Sequence, residues 1–346
     1  MVSAGHFGFQ WHLTDRCDGR CRHCYQQRSD AGRELGLAGW RRLAEAVARG
    51  LAGRSWTVNL TGGEPLLLAE LEPLLGHLQR LSGLAGCWII TNGLQATPER
   101  LARLSAFDKL AGFKVSVEAA VAPVHDAIRG PGHFARLARR LPAFVQTGKP
   151  VLAMTTLGRH NVDCMAETLA WARESGLAGV ILERFVPLGR GRAMAGAMLD
   201  AAGWQRAMAT AADCAGVALA ATERRRLRAL WIAFGAGGVE LRGAACDLGP
   251  DGMALLPDGS VLPCRRLPLV QGNRLREPLA SILPRLARWA PGRRHARLRG
   301  PAGSGCGDAA CAGCRAAALA HTGDALGDDP HCPGPLAVAD RGPAFG

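Results

Sequence analysis

Three cysteines, Cys17, Cys21 and Cys24, stand close together as Cys-x3-Cys-x2-Cys. Three thiolates at this spacing can face one inorganic centre, and they leave its fourth corner without a local ligand. A structural zinc site usually closes with four protein ligands, so a zinc loop here would need His12 or His23 as well. A [4Fe–4S] cluster can keep one iron open, and that iron can bind a small molecule. Tyr25, the single tyrosine of the chain, follows the third cysteine. Further along come Thr61-Gly62-Gly63-Glu64-Pro65, then Thr91-Asn92-Gly93, then Ser116 and Glu118. Two glycines let a backbone approach a neighbour closely, and Glu64 offers an acceptor for an ammonium group.

Each of these groups follows or ends a strand-like segment. Gly8 to Thr14, Trp56 to Leu60, Cys87 to Thr91, Gly112 to Glu118, Val151 to Thr156 and Val180 to Phe185 read as six strands. Helical patterns fall between them, at Leu37 to Leu51, Leu66 to Leu81, Pro98 to Ser105, Phe134 to Thr147 and Asp163 to Gly176. Strand–helix alternation with short connections predicts an α/β fold with a parallel sheet. Six units make an incomplete barrel, and ligand sites in such folds lie at the C-terminal ends of the strands. That is where the four polar groups stand.

The pattern changes after Gly191. Ala193 to Leu241 is rich in Ala and Arg and reads as two helices without strands. Asp258-Gly259, between two short apolar runs, predicts a hairpin, and a helix is expected at Leu279 to Trp289.

In order and spacing, Cys-x3-Cys-x2-Cys followed by Gly-Gly-Glu-Pro resembles the radical S-adenosylmethionine (radical SAM) superfamily over about Gly8 to Gly191. The resemblance implies a partial (β/α)6 TIM-type barrel. It also implies that Cys17, Cys21 and Cys24 hold a [4Fe–4S] cluster whose open iron chelates S-adenosylmethionine. Gly62, Gly63 and Glu64 would hold the methionine ammonium. Tyr25 would lie near the adenine, Asn92 in the same cofactor site, and Ser116 and Glu118 near the ribose or carboxylate. Arg129, in His125-Asp126-Ala127-Ile128-Arg129-Gly130, would pair with the carboxylate; a surface arginine after a turn is the alternative. The implied chemistry is reductive cleavage of S-adenosylmethionine to a 5′-deoxyadenosyl radical, which removes a hydrogen atom from an unactivated C–H bond. The cofactor does the difficult step, while the protein positions the substrate.

Cys246, Cys264, Cys306, Cys311, Cys314 and Cys332 form a second group. It resembles the SPASM extension, which carries one or two auxiliary iron–sulfur clusters. Gly303 stands where the fullest pattern has a cysteine. Two clusters with three cysteines each, Cys246, Cys264 and Cys314 on one, with an open iron or completed by water, Asp308 or His331, and one cluster with four cysteines both remain open, as does zinc. The remaining cysteines, Cys87, Cys164 and Cys214, read as core. The resulting division is a barrel over 1–195, a helical bridge over 196–240, a Cys-rich SPASM-like domain over 241–335 and a tail over 336–346.

The 346 residues carry a formal charge of +13, and all but three of their 42 basic residues are arginine. Genome base composition can produce this. The functional alternative is an acidic partner, either a peptide or a carboxylated small molecule. One tyrosine and no aromatic-interleaved basic stretch leave nucleic acid the least supported partner. No apolar run reaches the roughly 18 residues of a membrane span, and no signal peptide opens the chain. A soluble, cytoplasmic protein is expected, in which clustered cysteines bind metal more often than they pair. The favoured function is maturation of a ribosomally made peptide, by crosslink, thioether or epimerisation. The cysteine motif begins too near the N-terminus for a leader-recognition domain to precede it, so a separate recognition protein is expected. A flavodoxin or ferredoxin would supply electrons. Tetrapyrrole side-chain chemistry, suggested by Thr322-Gly323-Asp324 and Asp329-Pro330-His331-Cys332, and a sulfatase-type maturase are the alternatives.

Overall fold

A computed structural model of the chain describes residues 5–26, 34–220, 223–224, 227–235, 237–244, 246, 248–291, 298–299 and 313–332. Cys306, Cys311, Asp308 and the expected tail lie outside the described residues.

Six strands alternate with helices as expected: β1 (His6–Thr14), β2 (Ser55–Gly62), β3 (Leu84–Thr91), β4 (Leu110–Ser116), β5 (Val151–Leu157) and β6 (Gly179–Arg184). They pair in sequence order, all parallel. β1 and β6 do not pair, so the barrel stays open. Alternation along the strands divides core from chamber. Phe7, Phe9, Trp11 and Leu13 of β1 are buried in the main apolar core, while the intervening Gln10 lines an interior cavity. Ile90, Ser116, Met154 and Glu183 line the same cavity from β3 to β6.

The helices cover the outer face. They are α1 (Gly36–Gly50), α2 (Leu71–Leu78), α3 (Pro98–Ser105), α4 (Ala122–Arg129), α5 (His133–Gln146), α6 (Met165–Glu174) and α7 (Ala201–Cys214). In α1 the buried residues Gly39, Trp40, Leu43, Ala44 and Val47 make one stripe, as a 3.6-residue period requires. α3 starts where its sequence says it should. Thr97 accepts a hydrogen bond from the Arg100 N–H at 3.3 Å, and Pro98 fills the first turn, where no donor is needed.

Two expectations are corrected, and one element is added. The helix expected at Leu66 to Leu81 is a 3-10 turn (Pro65–Leu67) followed by the shorter α2. Segment 122–129, to which the sequence reading assigns no element, forms α4. The region read as two helices without strands holds α7 and then β7 (Ala229–Gly235) and β8 (Gly238–Ala244). β7 pairs antiparallel with β6, and β8 with β7. The edge of β6 would otherwise present unpaired backbone groups, and this hairpin covers it.

The other edge is covered by the last part of the chain. β9 (Gly252–Leu255) pairs parallel with β1, and β10 (Ser260–Leu262) and β11 (Gly272–Asn273) follow antiparallel. The turn is at Asp258-Gly259 as expected; Gly259 has φ +80°, which glycine adopts without steric cost. α8 (Leu279–Ala287) and α9 (Arg315–Thr322) complete the described elements. No helix among the described residues is long and apolar enough to cross a membrane.

Candidate radical SAM active site

The cysteine loop is held at the end of β1 by its neighbours' backbone. The Gly63 N–H donates to the Thr14 carbonyl at 2.7 Å, and the Glu64 N–H to the Arg16 carbonyl at 2.8 Å. A Cβ on Gly62 would overlap the Thr14 carbonyl, and one on Gly63 the Arg16 carbonyl. These glycines therefore let two loops dock against each other. On the far side, the Arg22 N–H donates to the Ile128 carbonyl of α4 at 2.9 Å, and the Gly191 N–H to the Cys24 carbonyl at 3.0 Å. A Cβ on Gly189 would overlap the Tyr25 carbonyl. The Gly-x-Gly after β6 is a clasp on the third cysteine.

Cys17, Cys21 and Cys24 line one cavity with Tyr25, Gly62, Gly63, Asn92, Ser116 and Arg129. A Cβ on Gly19 would lie 3.5 Å from both the Cys17 and Cys21 Sγ atoms, so the loop curls with these two sulfurs around its glycine. Burial pushes the Cys17 thiol up to about 11 and raises Cys21 as well. Thiols in this setting become ligands when a metal centre displaces the proton. Among the described residues, no three Cys, His, Asp or Glu side chains gather closely enough for a single metal ion. A donor set of three thiols suits a polynuclear centre with one open corner. Of the possible zinc partners, His23 lines the cavity with its Nε2 3.2 Å from Glu118 Oε1, and His12 is engaged with its neighbours. His12 is 3.1 Å from Gln26 Nε2 and 3.5 Å from the Tyr25 hydroxyl. Burial, then Arg265, pushes its pKa down to about 3, so it is neutral.

Two expected site carboxylates do not line the cavity. Glu64 is fully buried; it accepts from the Leu66 N–H at 2.9 Å, the Thr91 hydroxyl at 2.7 Å and the Asn92 N–H at 2.7 Å. It joins the end of β2 to the end of β3 and so sets Asn92. Burial pushes its pKa up to about 7 against those hydrogen bonds. Glu118 is also buried. It binds Arg129 Nε at 2.9 Å and Nη2 at 2.6 Å, accepts the Thr156 N–H at 3.1 Å and lies 3.2 Å from His23 Nε2. Burial alone would raise its carboxyl, but His23 and then Arg129 hold it well below the usual range. Glu118 thus aims Arg129, whose Nη1 points at Cys21 Sγ at 3.7 Å. Arg129 is neither free nor superficial. Burial opposes its charge, but Cys21 and Glu118 outweigh that and raise its pKa.

Sequence reasoning missed the roof. Arg265 and Arg266, next to Cys264, reach across the open seam of the barrel to β6. Arg265 forms an ion pair with Glu183, and Arg266 Nη1 donates to the Arg184 carbonyl at 2.6 Å. Burial opposes the Glu183 charge, but Arg265 and Arg266 push its pKa down to about 2. Arg190 also lines the cavity. The signal was present in the two arginines that directly follow a cysteine.

Of the second cysteine group, Cys246, Cys264 and Cys314 pack against one small apolar cluster that includes Val186, Leu188, Leu248 and Leu267. Cys332 follows His331 at the end of the described chain. Among the three expected core cysteines, Cys87 is buried and Cys164 partly so, but Cys214, the last residue of α7, is exposed.

Residues 11–172 match the model of the radical SAM superfamily. Over 341 residues the chain is 28% identical to an AdoMet-dependent heme synthase of Methanosarcina barkeri, covering 93% of this chain and 95% of the relative. It is 31% identical to mycofactocin maturase MftC of Mycobacterium ulcerans over 52% of this chain, a match that takes in 48% of that relative. A PqqA peptide cyclase of Xanthomonas oryzae pv. oryzae is 29% identical, covering 92% of this chain and 86% of the relative. Among solved structures, anSMEcpe with bound AdoMet and Cp18Cys peptide superposes with a TM-score of 0.73 over 94% of each chain. At 15% identity that likeness is one of fold. Residues 11–172 of this chain are a radical SAM domain.

Proposed function

We propose that this enzyme removes a hydrogen atom from a ribosomally made peptide and thereby matures it by crosslink, thioether or epimerisation. The observation that carries the enzymatic reading is the joint lining of one chamber by Cys17, Cys21 and Cys24 and four consecutive strand ends. When bound there, a [4Fe–4S] cluster and S-adenosylmethionine supply one-electron cleavage and hydrogen-atom abstraction. The chain's own residues hold and orient. The three thiols would hold the cluster; Gly62, Gly63, Asn92, Ser116, Tyr25 and Arg129 would hold S-adenosylmethionine; Glu64 and Glu118 set Asn92 and Arg129 from behind. The seam arginines, Arg265 and Arg266, close the chamber against water, which protects a reactive centre.

The peptide reading draws support from the full-length likeness to a PqqA peptide cyclase and from the basic chamber wall, which suits an acidic substrate. The extension over 241–335, with Cys246, Cys264, Cys306, Cys311, Cys314 and Cys332, would carry one or two auxiliary iron–sulfur clusters. A flavodoxin or ferredoxin in the cytoplasm would deliver electrons, and a separate protein would present the peptide leader. The second reading, tetrapyrrole side-chain chemistry, is favoured by the heme-synthase likeness across 95% of that relative. Arginines would bind porphyrin carboxylates equally well.

The test begins with anaerobically reconstituted protein and S-adenosylmethionine. 5′-Deoxyadenosine must form above a Cys24→Ala control, and its absence refutes the enzymatic reading. Mass spectrometry of a co-expressed small peptide encoded beside the gene, with the reaction run in D2O, then looks for loss of hydrogen (crosslink or thioether) or gain of one deuterium at carbon (epimerisation). An unchanged peptide, with mass loss from a propionate-bearing porphyrin, replaces the first reading by the second.

A further inference from the structure

At the end of β6, where Arg184 borders the chamber, its side chain runs to Trp204 and Asp329 and carries buried nitrogens that the reading above does not use. Arg184 is 2% exposed, and its guanidinium stands 5.1 Å over the Trp204 ring and 3.8 Å from Asp329 Oδ2. None of its three side-chain nitrogens has a hydrogen-bond partner. Asp329 is buried between the last two cysteines of the group. Its Oδ2 accepts the Cys314 N–H at 2.6 Å; its Oδ1 accepts the His331 N–H at 3.0 Å and lies 3.2 Å from His331 Nδ1. His331 is 3% exposed, and its other ring nitrogen, Nε2, is buried without a partner.

The chemistry of these atoms differs. A carboxylate only accepts, so His331 Nδ1 carries the proton and Nε2 carries a lone pair. An unmet lone pair needs a donor or a Lewis acid. A guanidinium only donates, so Arg184 needs an acceptor. Leaving such groups buried and unmet is costly. A metal–sulfide body satisfies both kinds, offering iron to the imidazole and sulfur to the guanidinium. A histidine with its far nitrogen on a carboxylate is also the usual arrangement of a metal-bound imidazole.

We propose that His331 Nε2 ligates an iron of an auxiliary cluster beside Cys314 and Cys332, that Asp329 is its positioning residue, and that Arg184 donates to the cluster's sulfur. This rests on the reading that the extension carries an iron–sulfur cluster.

The experiment uses the full chain with Cys17, Cys21 and Cys24 all changed to Ala, grown on 15N-histidine, purified anaerobically and reduced. Iron and sulfide should remain. Pulsed EPR should show a strongly coupled histidine nitrogen. His331→Ala should abolish that coupling. His331→Cys should keep the iron, lose the coupling and lower the midpoint potential, since histidine ligation raises it relative to thiolate. A retained cluster without histidine coupling, or with coupling that survives in both His331 variants, overturns the proposal and leaves the auxiliary cluster standing. No iron in the triple variant overturns the auxiliary cluster and the proposal with it.

Discussion

The two cysteine groups are held by different means. Cys17, Cys21 and Cys24 sit on one loop, clamped by backbone hydrogen bonds to the ends of β1 and β2, to α4 and to the segment after β6. Cys246, Cys264 and Cys314 come from separate stretches of chain and meet over a few apolar side chains. The first arrangement is built by the sheet, and its metal would enter a frame already made. Among the described residues the second rests on one small apolar cluster, and a metal body would contribute folding free energy there. A fold can thus supply one site with geometry and draw geometry from another.

Four measurements would break or sharpen that contrast. The largest effect is expected from Glu118→Gln, which leaves the buried Arg129 and His23 without their anion. Losing one partner of a buried ion pair costs about 3–5 kcal/mol. Urea unfolding should show this, and iron analysis should show loss from the first site while iron bound by the extension remains. Equal loss from both would show that the two regions are one cooperative unit.

Gly63→Ala comes next. Its methyl would overlap the Arg16 carbonyl, and backbone cannot give way as a side-chain end can. A destabilisation of about 1–3 kcal/mol is expected from overpacking, with at least a tenfold loss of S-adenosylmethionine cleavage. Wild-type cleavage in this variant would remove the glycine clamp from the account.

Acid tests the same frame. Burial pushes the pKa of His12 and His125 down to about 3 and that of His133 to about 4. The unfolded chain takes up these protons near pH 6.5, and the folded chain refuses them until pH 3–4. Stability therefore falls as pH drops from about 6.5 towards that range. Glu64, raised to about 7, acts in the opposite sense between pH 4.5 and 7, but three histidines outweigh one glutamate. The urea midpoint should be lower at pH 5 than at pH 7, and His125→Gln should flatten the difference. An unchanged midpoint would show that these imidazoles titrate normally. The smallest effect belongs to Cys214→Ser: an exposed thiol at a helix end should change stability by less than about 0.5 kcal/mol.

The six parallel strands were legible because their residues are buried on alternating or continuous faces that only strands produce. The three cysteines were legible because a local motif needs no long-range knowledge. Other features needed the third dimension. β7 and β8 hide in an Ala- and Arg-rich stretch, and their buried Leu230 and Ile232 gain meaning only beside the edge of β6. α4 is a helix of 8 residues, about two turns, too short to establish a period. Glu64 and Glu118 looked like ligand acceptors because sequence shows a carboxylate's position in the chain but not which donors already satisfy it. Arg265 and Arg266 meet β6 only because the sheet leaves a seam there.

That seam also sets a schedule. β1 is synthesised well before the strand that covers its free edge, which pairs Gly252 with Gly8 and Leu255 with Trp11. Until then the growing polypeptide exposes a strand rich in aromatic residues with one side unpaired, the kind of edge that recruits other chains. A nascent chain stalled before residue 252 is therefore the form of this protein most in need of a chaperone, and release from it would coincide with closure of the chamber.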